Sequence, residues 1–158
     1  MDQFVIRPAE LGDLTTLLAF EQGIMETERP FDETLRSGDD VHYYDLEAYI
    51  SSPHVEVLVA EVGEQIVGSG YARIESSKPY VKHRTHAYLG FMYVVPEYRG
   101  KGINKKILAA LEAWSFSKGI TEMRLEVYVD NTAAIRAYEK SGYAGLLLQM
   151  RKDVSEVE

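Results

Sequence analysis

The strongest constraint on this chain lies between His86 and Lys118, where a strand-like run gives way to helical spacing across a short basic turn. His86 to Val95 is rich in aromatic and β-branched residues and reads as a central strand. Pro96 cannot continue a ladder, so the strand stops there. From Gly102 to Lys118 the apolar residues Ile103, Ile107, Ala110, Leu111 and Trp114 share one face of a helix. Lys118-Gly119 closes that helix. Between them stands Arg99-Gly100-Lys101-Gly102-Ile103-Asn104. A strand, a glycine-rich turn and an amphipathic helix in that order require a sheet for the helix to cover.

The remaining elements fit the same plan. Phe4-Val5-Ile6 is a short strand ended by Arg7-Pro8. Leu11, Leu14, Leu18 and Met25 have helical spacing. Thr27 to Asp40, with Pro30, Ser37 and Gly38, reads as a long loop. Tyr44 to Ile50 is a short helix stopped near Pro53. Val55 to Glu61 and Gln65 to Glu75 form a hairpin about Gly63-Glu64. Met123 to Val129 is a strand. Asn131 to Lys140 is a helix capped by Asp130 or Asn131, with Gly142 beyond its end. Leu146 to Arg151 is a last strand. The order predicts an α/β fold of one mixed sheet with helices on both faces, in a single domain over residues 1–158.

Charge is unevenly placed. Residues 1–61 hold 14 acidic and three basic side chains, and residues 62–158 hold 11 acidic and 14 basic ones. The first part repels nucleic acid and attracts cations, and the second favours an anion. There is no cysteine, which removes disulfides, thiolate metal ligands and cysteine nucleophiles. No His/Asp/Glu grouping has metal-ligand spacing, so no metal is expected. The first residues lack a basic segment followed by an apolar one, and no apolar run approaches a membrane span. A soluble, cytoplasmic protein without membrane or nucleic-acid partners is the expectation.

The turn suits a pyrophosphate. A helix start exposes unpaired N–H groups and the positive dipole end. Glycine lets an anion approach the backbone, and Arg99, Lys101 and Lys105 add charge. Two other phosphate motifs fail. The dinucleotide fingerprint needs Gly at 105, which is Lys. The P-loop needs four residues between its glycines and then Lys-Ser/Thr.

A second motif runs from Leu125 to Tyr143, with Asn131, Ala134, Tyr138, Gly142 and Tyr143 at set spacing. It resembles the Asn-x-x-Ala-x-x-x-Tyr-x-x-x-Gly-Phe/Tyr signature of the GCN5-related N-acetyltransferases, the GNAT superfamily. The turn resembles that family's Gln/Arg-x-x-Gly-x-Gly/Ala loop at Arg99 and Gly102, and departs from it at Asn104. The resemblance implies a mixed, mostly antiparallel sheet of about six or seven strands with about four helices. It also implies acetyl-CoA as the acyl donor.

By the same resemblance, Met92, Tyr93 and Val94 pair with the pantetheine arm through their backbone, as an added strand would. Arg99, Gly100, Lys101, Gly102, Ile103, Asn104 and Lys105 hold the pyrophosphate. Asn131 contacts the arm, and Tyr138 protonates the leaving thiolate. Glu126 is the candidate base, matching a glutamate in the Leu-Glu-Val strand of ribosomal-protein alanine N-acetyltransferases. Tyr88, His86, Glu21, Glu26, Glu28 and an ordered water are the alternatives.

The resemblance places the acceptor pocket at Glu21 to Asp40. Its acidity suits a cationic amine, either a small molecule or a peptide, with Tyr43, Tyr44 and Tyr80 available for cation–π contacts. The expected reaction is direct attack by a primary amine in a ternary complex, and a homodimer is compatible with the family. The competing readings are a non-catalytic acyl-CoA-binding module of the same fold and a protein-interaction domain.

Overall fold

The computed structural model describes residues 3–38 and 40–155. The chain divides into two compact units, one ending at Glu126 and one beginning at Val127. In the first unit, β1 (Val5–Pro8), α1 (Leu14–Glu28), α2 (Leu46–Ser51), β2 (Val55–Val62), β3 (Gln65–Ser76), β4 (Thr85–Val94), α3 (Ile103–Ser117) and β5 (Met123–Leu125) follow in order. The five strands make one sheet in sequence order. β1 to β4 are antiparallel neighbours, and β5 runs parallel to β4. Among the described residues no helix is long and apolar enough to cross a membrane.

Alternation along the strands separates the two faces of the sheet. Val57, Val59, Tyr71 and Phe91 pack with Leu17, Phe20 and Ile24 of α1 and Leu46 of α2. The opposite face receives α3, whose Ile103, Ile107 and Leu111 are buried. This helix lies close: a Cβ at Gly70 would stand 2.8 Å from Ile107 and 3.3 Å from Leu111. The predicted face of α3 and its ends therefore match the sequence reading.

Three expectations need correction. Leu11 and Leu18 are exposed, and α1 buries Leu17, Phe20, Ile24 and Met25 instead. Leu11 falls in a 3₁₀ turn ahead of the helix, which begins only at Leu14, and Leu18 lies at the edge of the stripe formed by Leu17, Phe20, Ile24 and Met25. The expected strand to Val129 ends at Leu125, where pairing with β4 stops. No described residue from Leu146 to Arg151 is in a strand, so the sheet has five strands rather than six or seven. Leu146, Leu147 and Leu148 are consecutive and exposed. Such a run has apolar content but no alternation, and strand identity needs a paired neighbour.

Arg7 ties the sheet to the start of α1. Its guanidinium holds Asp13 with two bonds of 2.8 and 3.0 Å and Glu61 with two of 3.0 and 2.7 Å. The Arg7 hydrogen bonds hold the Asp13 carboxyl below its usual value of 3.8. A carboxyl lowered in the folded state adds stability above its unfolded pKa and loses it as pH falls further. Arg7→Met is therefore expected to lower the urea midpoint at pH 7. The gap from the native chain should narrow as pH falls below 3.8. A gap that stays constant with pH would contradict this assignment.

Candidate active site

The turn after β4 is built around two left-handed glycines, Gly100 at φ 79° and Gly102 at φ 83°. A side chain is strained at such angles. A Cβ at either position would meet nothing within 4 Å, so the space over the turn is open. Gly102 caps α3, and the first ladder bond runs from the Lys106 N–H to the Gly102 carbonyl. The N–H groups of Ile103, Asn104 and Lys105 thus precede the ladder at the positive end of the helix dipole. Lys101 stacks over Tyr98 at 4.9 Å, and Lys105 is exposed.

Arg99 has a different part from the one implied by its charge. Its Nε donates to the Val94 carbonyl at 2.9 Å, and its guanidinium lies 5.6 Å from the centre of the Tyr93 ring. It fixes the turn to the end of β4. Asn104 is half-buried, and its Oδ1 is buried without a hydrogen-bond partner. An orphaned buried acceptor is costly, by about 1–3 kcal/mol. Asn104→Gly removes that acceptor but also lowers helix propensity by up to about 1 kcal/mol. Acetyl-CoA affinity is expected to stay equal or become tighter. A loss of tenfold or more in a titration would show that the Asn104 side chain itself holds the cofactor.

β4 opens where the arm is expected. Among the described residues it pairs with β5 through Leu89↔Leu125 and no further, so Gly90 to Val94 have no described strand partner on that side. The ladder with β3 is also irregular between Ser69 and Tyr71. Phe91 sits in this irregularity at φ 58°, a sparsely populated region for a bulky residue. Side chains supply what the ladder does not: Ser69 Oγ donates to the Phe91 carbonyl at 2.9 Å, and the Tyr44 ring packs edge-on against the Phe91 ring at 5.3 Å. Neither Ser69 nor this part of Tyr44 was anticipated. Met92, Tyr93 and Val94 follow on the same open edge.

The first unit brings one pair of base candidates together. The Tyr88 phenol stands within the field of the Glu126 carboxylate, which is exposed at the point where β5 leaves β4. Burial first, and then the Glu126 charge, raise the Tyr88 phenol above its ordinary range. The Tyr71 hydroxyl lies against Gly90, and burial pushes it up to about 12. Arg73, opposite Tyr88 in the ladder, lies 5.3 to 5.7 Å from the rings of Tyr49, Tyr71 and Tyr88. It also donates to the Tyr49 hydroxyl and to Glu75. The Tyr71 and Tyr88 phenols therefore stay protonated at neutral pH and are not open to act as bases.

The other candidates are placed elsewhere. His86 bridges Ser77 at 2.8 Å and Glu75 at 3.3 Å at the far end of β4. Glu28 accepts from the Tyr43 hydroxyl at 3.1 Å, and burial raises its carboxyl. Tyr44 is packed edge-on against Tyr71 and Phe91, so its ring serves the core rather than a substrate cation. Tyr80 is exposed.

Glu21 is fully buried and its carboxylate is engaged. Oε1 lies 2.6 Å from His42 Nδ1, and Oε2 accepts the Tyr43 and Tyr44 N–H groups, both at 2.9 Å. This carboxylate clamps the loop before α2 onto α1 and is not open to act as a base. Glu21→Ala strands two amides, each worth about 1–3 kcal/mol when left unsatisfied. The expected loss in a denaturant titration is about 2–4 kcal/mol. A change under 1 kcal/mol would show the clamp to be dispensable.

The second unit carries α4 (Thr132–Lys140). Asn131 is its N-cap, with Oδ1 accepting from the Ala134 N–H at 3.3 Å. Tyr138 is half-buried, in the last turn of the helix, and packs edge-on to Tyr143 at 6.1 Å. The Tyr143 N–H closes on the Tyr138 carbonyl at 3.1 Å, and Gly142 turns the chain at φ 96°. The motif positions thus form one capped, closed helix.

Comparison with known proteins points one way. The model of the acetyltransferase (GNAT) family matches residues 22–143. Thialysine N-epsilon-acetyltransferase of Bos taurus is 30% identical over 146 residues, covering 87% of this chain and 82% of its own. Aminoglycoside N(6')-acetyltransferase type 1 of Salmonella typhimurium is 26% identical over 112 residues, covering 66% and 73%. A predicted acetyltransferase of Clostridium acetobutylicum, solved with acetyl-CoA, superposes with a TM-score of 0.76 at 16% identity, covering 98% and 99%.

Proposed function

Because this chain belongs to the acetyltransferase (GNAT) family, we propose that it moves an acetyl group from acetyl-CoA to a primary amine of a small cationic molecule or peptide. It is an acyltransferase, and its donor is acetyl-CoA. The observation that carries the reading is the turn at Gly100–Lys105. It combines two left-handed glycines, open space and three amides ahead of the α3 ladder, directly after a strand with an open edge. That arrangement fits a pyrophosphate followed by an extended arm. The two units serve a single domain in this reading, since the family match runs across both.

Each residue then has a defined task. Ile103, Asn104 and Lys105 offer backbone N–H groups to the pyrophosphate, with Lys101 and Lys105 adding charge. Arg99 keeps the turn in register with Val94. Met92 to Val94 receive the arm along the open edge of β4. Acetyl-CoA, when bound, supplies the thioester carbonyl that the amine attacks. Glu126 takes the proton from the ammonium, directly or through a water, with the Tyr88 phenol beside it. Tyr138 returns a proton to the departing thiolate. What supports Tyr138 is the full match of its motif and its position on a capped helix.

The acidic N-terminal part of the chain supports a cationic acceptor, and the names of the bovine and Salmonella relatives both denote amine substrates. The test is release of free CoA from acetyl-CoA across a panel of diamines, amino acids, aminoglycosides and peptides. Turnover with at least one class supports the reading. Thermal stabilisation by acetyl-CoA without turnover on any amine would instead support a non-catalytic acyl-CoA-binding module.

A further inference from the structure

Tyr71 brings a phenol to the place where β4 and β5 part. β5 covers the edge of β4 up to Leu89, and from Gly90 to Val94 that edge has no described strand partner. An arm that enters from the turn at Gly100–Lys105 and follows this edge is stopped where β5 takes it over. Its acyl end then stands at Gly90. We propose, on the acetyl-transfer reading, that Tyr71 is a further catalytic residue, whose hydroxyl donates a hydrogen bond to the thioester oxygen as the amine attacks.

Gly90 makes this possible. Tyr71 belongs to β3 and pairs directly with Gly90 across the ladder. A Cβ at Gly90 would stand 2.6 Å from the Tyr71 hydroxyl oxygen and 2.7 Å from its Cζ. The phenol therefore occupies the space of the missing side chain and carries its hydroxyl across β4. It reaches far enough for Glu126, on the other side of β4, to act on it. The hydroxyl, the end of the open edge and the proposed base thus converge at one point.

The ring is held from several sides. Tyr44 and Tyr49 pack edge-on against it at 5.5 and 5.4 Å, and the Arg73 guanidinium lies 5.7 Å from its centre. Tyr71 is only 2% exposed. Such packing asks for a ring alone, which phenylalanine would supply. Burial and neighbouring charges act on the phenol, and its hydroxyl has no hydrogen-bond partner among the described residues. A protonated donor is therefore fixed in place and uncommitted. Such a donor, aimed where charge develops in a water-poor site, needs no reorganisation as the charge appears.

The hydroxyl keeps its own proton throughout. The amine nitrogen forms the C–N bond and the C–S bond breaks. Glu126 takes the amine proton and Tyr138 protonates the sulfur, so Tyr71 only steadies charge on the carbonyl oxygen.

Isotope-edited infrared spectroscopy of acetyl-CoA labelled at its carbonyl carbon reads this hydrogen bond without any acceptor. In the native chain the bound carbonyl band is expected below its position in water, and in Tyr71→Phe above the native position. Gly90→Ala keeps the phenol but fills its space, and should move the band the same way. Tyr88→Phe should leave it unmoved. With an amine that turns over, Tyr71→Phe should lower kcat by about 100-fold and leave the KM for acetyl-CoA within about threefold. Thermal stabilisation by acetyl-CoA confirms that each variant is folded and loaded. A native band at or above the free value would overturn the proposal whether or not the variants fold. So would a band unmoved in folded Tyr71→Phe, or moved equally in Tyr88→Phe. A band displaced as expected, without turnover of any amine by the native chain, would sink the transferase reading and leave the hydrogen bond standing.

Discussion

Tyr138→Phe is expected to lower kcat by about 100-fold while leaving the KM for acetyl-CoA within about threefold. General-acid assistance contributes about 10²–10⁴-fold in enzymes. The lower end applies because an ordinary thiol has a pKa of about 8.5, so its thiolate is already a fair leaving group. The substitution keeps the ring, and with it the edge-on packing against Tyr143. Only the hydroxyl is lost. The alternative part for Tyr138 is to hold the cofactor, which would raise the acetyl-CoA KM and spare kcat. A steady-state comparison therefore separates acid from binder. Unchanged turnover would remove Tyr138 from the chemistry altogether.

That assignment comes from a motif readable along the chain, and the reason is locality. A cap, a helix turn and a glycine stop are decided within a few residues, so Asn131, α4 and Gly142 were legible in advance. The turn at Gly100 and Gly102 was legible for the same reason. The α3 face was too, because five apolar residues at helical spacing leave one way to bury them. The clamp at Glu21 was not. It depends on a loop returning 21 to 23 residues later to present two amides and a histidine to one carboxylate. Nothing in the spacing of Glu21 and His42 announces that. Likewise, Tyr88 and Glu126 were each named as base candidates, but their pairing follows from the parallel register Tyr88↔Arg124. Registers between strands more than 30 residues apart are tertiary facts. The run Leu146 to Leu148 misled for the complementary reason: hydrophobicity alone supplied a strand where no described neighbour pairs with it.

The structure also divides the base candidates by what surrounds them. Glu21 has both oxygens occupied and no exposure, and Glu28 is engaged with Tyr43. Glu126 is exposed and stands where β5 parts from β4, near enough to Tyr88 for its charge to raise that phenol. A base must reach solvent as well as the substrate proton, and Glu126 is open to solvent while Glu21 is not, which is why the proposed base is Glu126.

Glu126→Gln is accordingly expected to cost about 10²–10³-fold in kcat/KM at pH 7 with an alkylamine acceptor. The deficit should shrink as pH rises. An alkylammonium has a pKa of about 10.4, so only about one molecule in 2,500 is neutral at pH 7. With Glu126 present, the ammonium can bind and lose its proton at the site, and the rate levels off below the amine pKa. Without it, only neutral amine reacts, and log kcat/KM should climb with unit slope toward pH 10. The two profiles then converge to within about tenfold near pH 9.5. Tyr88→Phe should give a smaller loss with the native shape of the profile, because it removes a neighbouring hydroxyl and leaves the carboxylate in place. Parallel profiles for the native chain and Glu126→Gln, at any separation, would mean that the proton leaves by another route. An ordered water held by backbone carbonyls on the open edge of β4 would then be the base to pursue, since a neutral site of that kind gives a pH dependence that Glu126 does not alter.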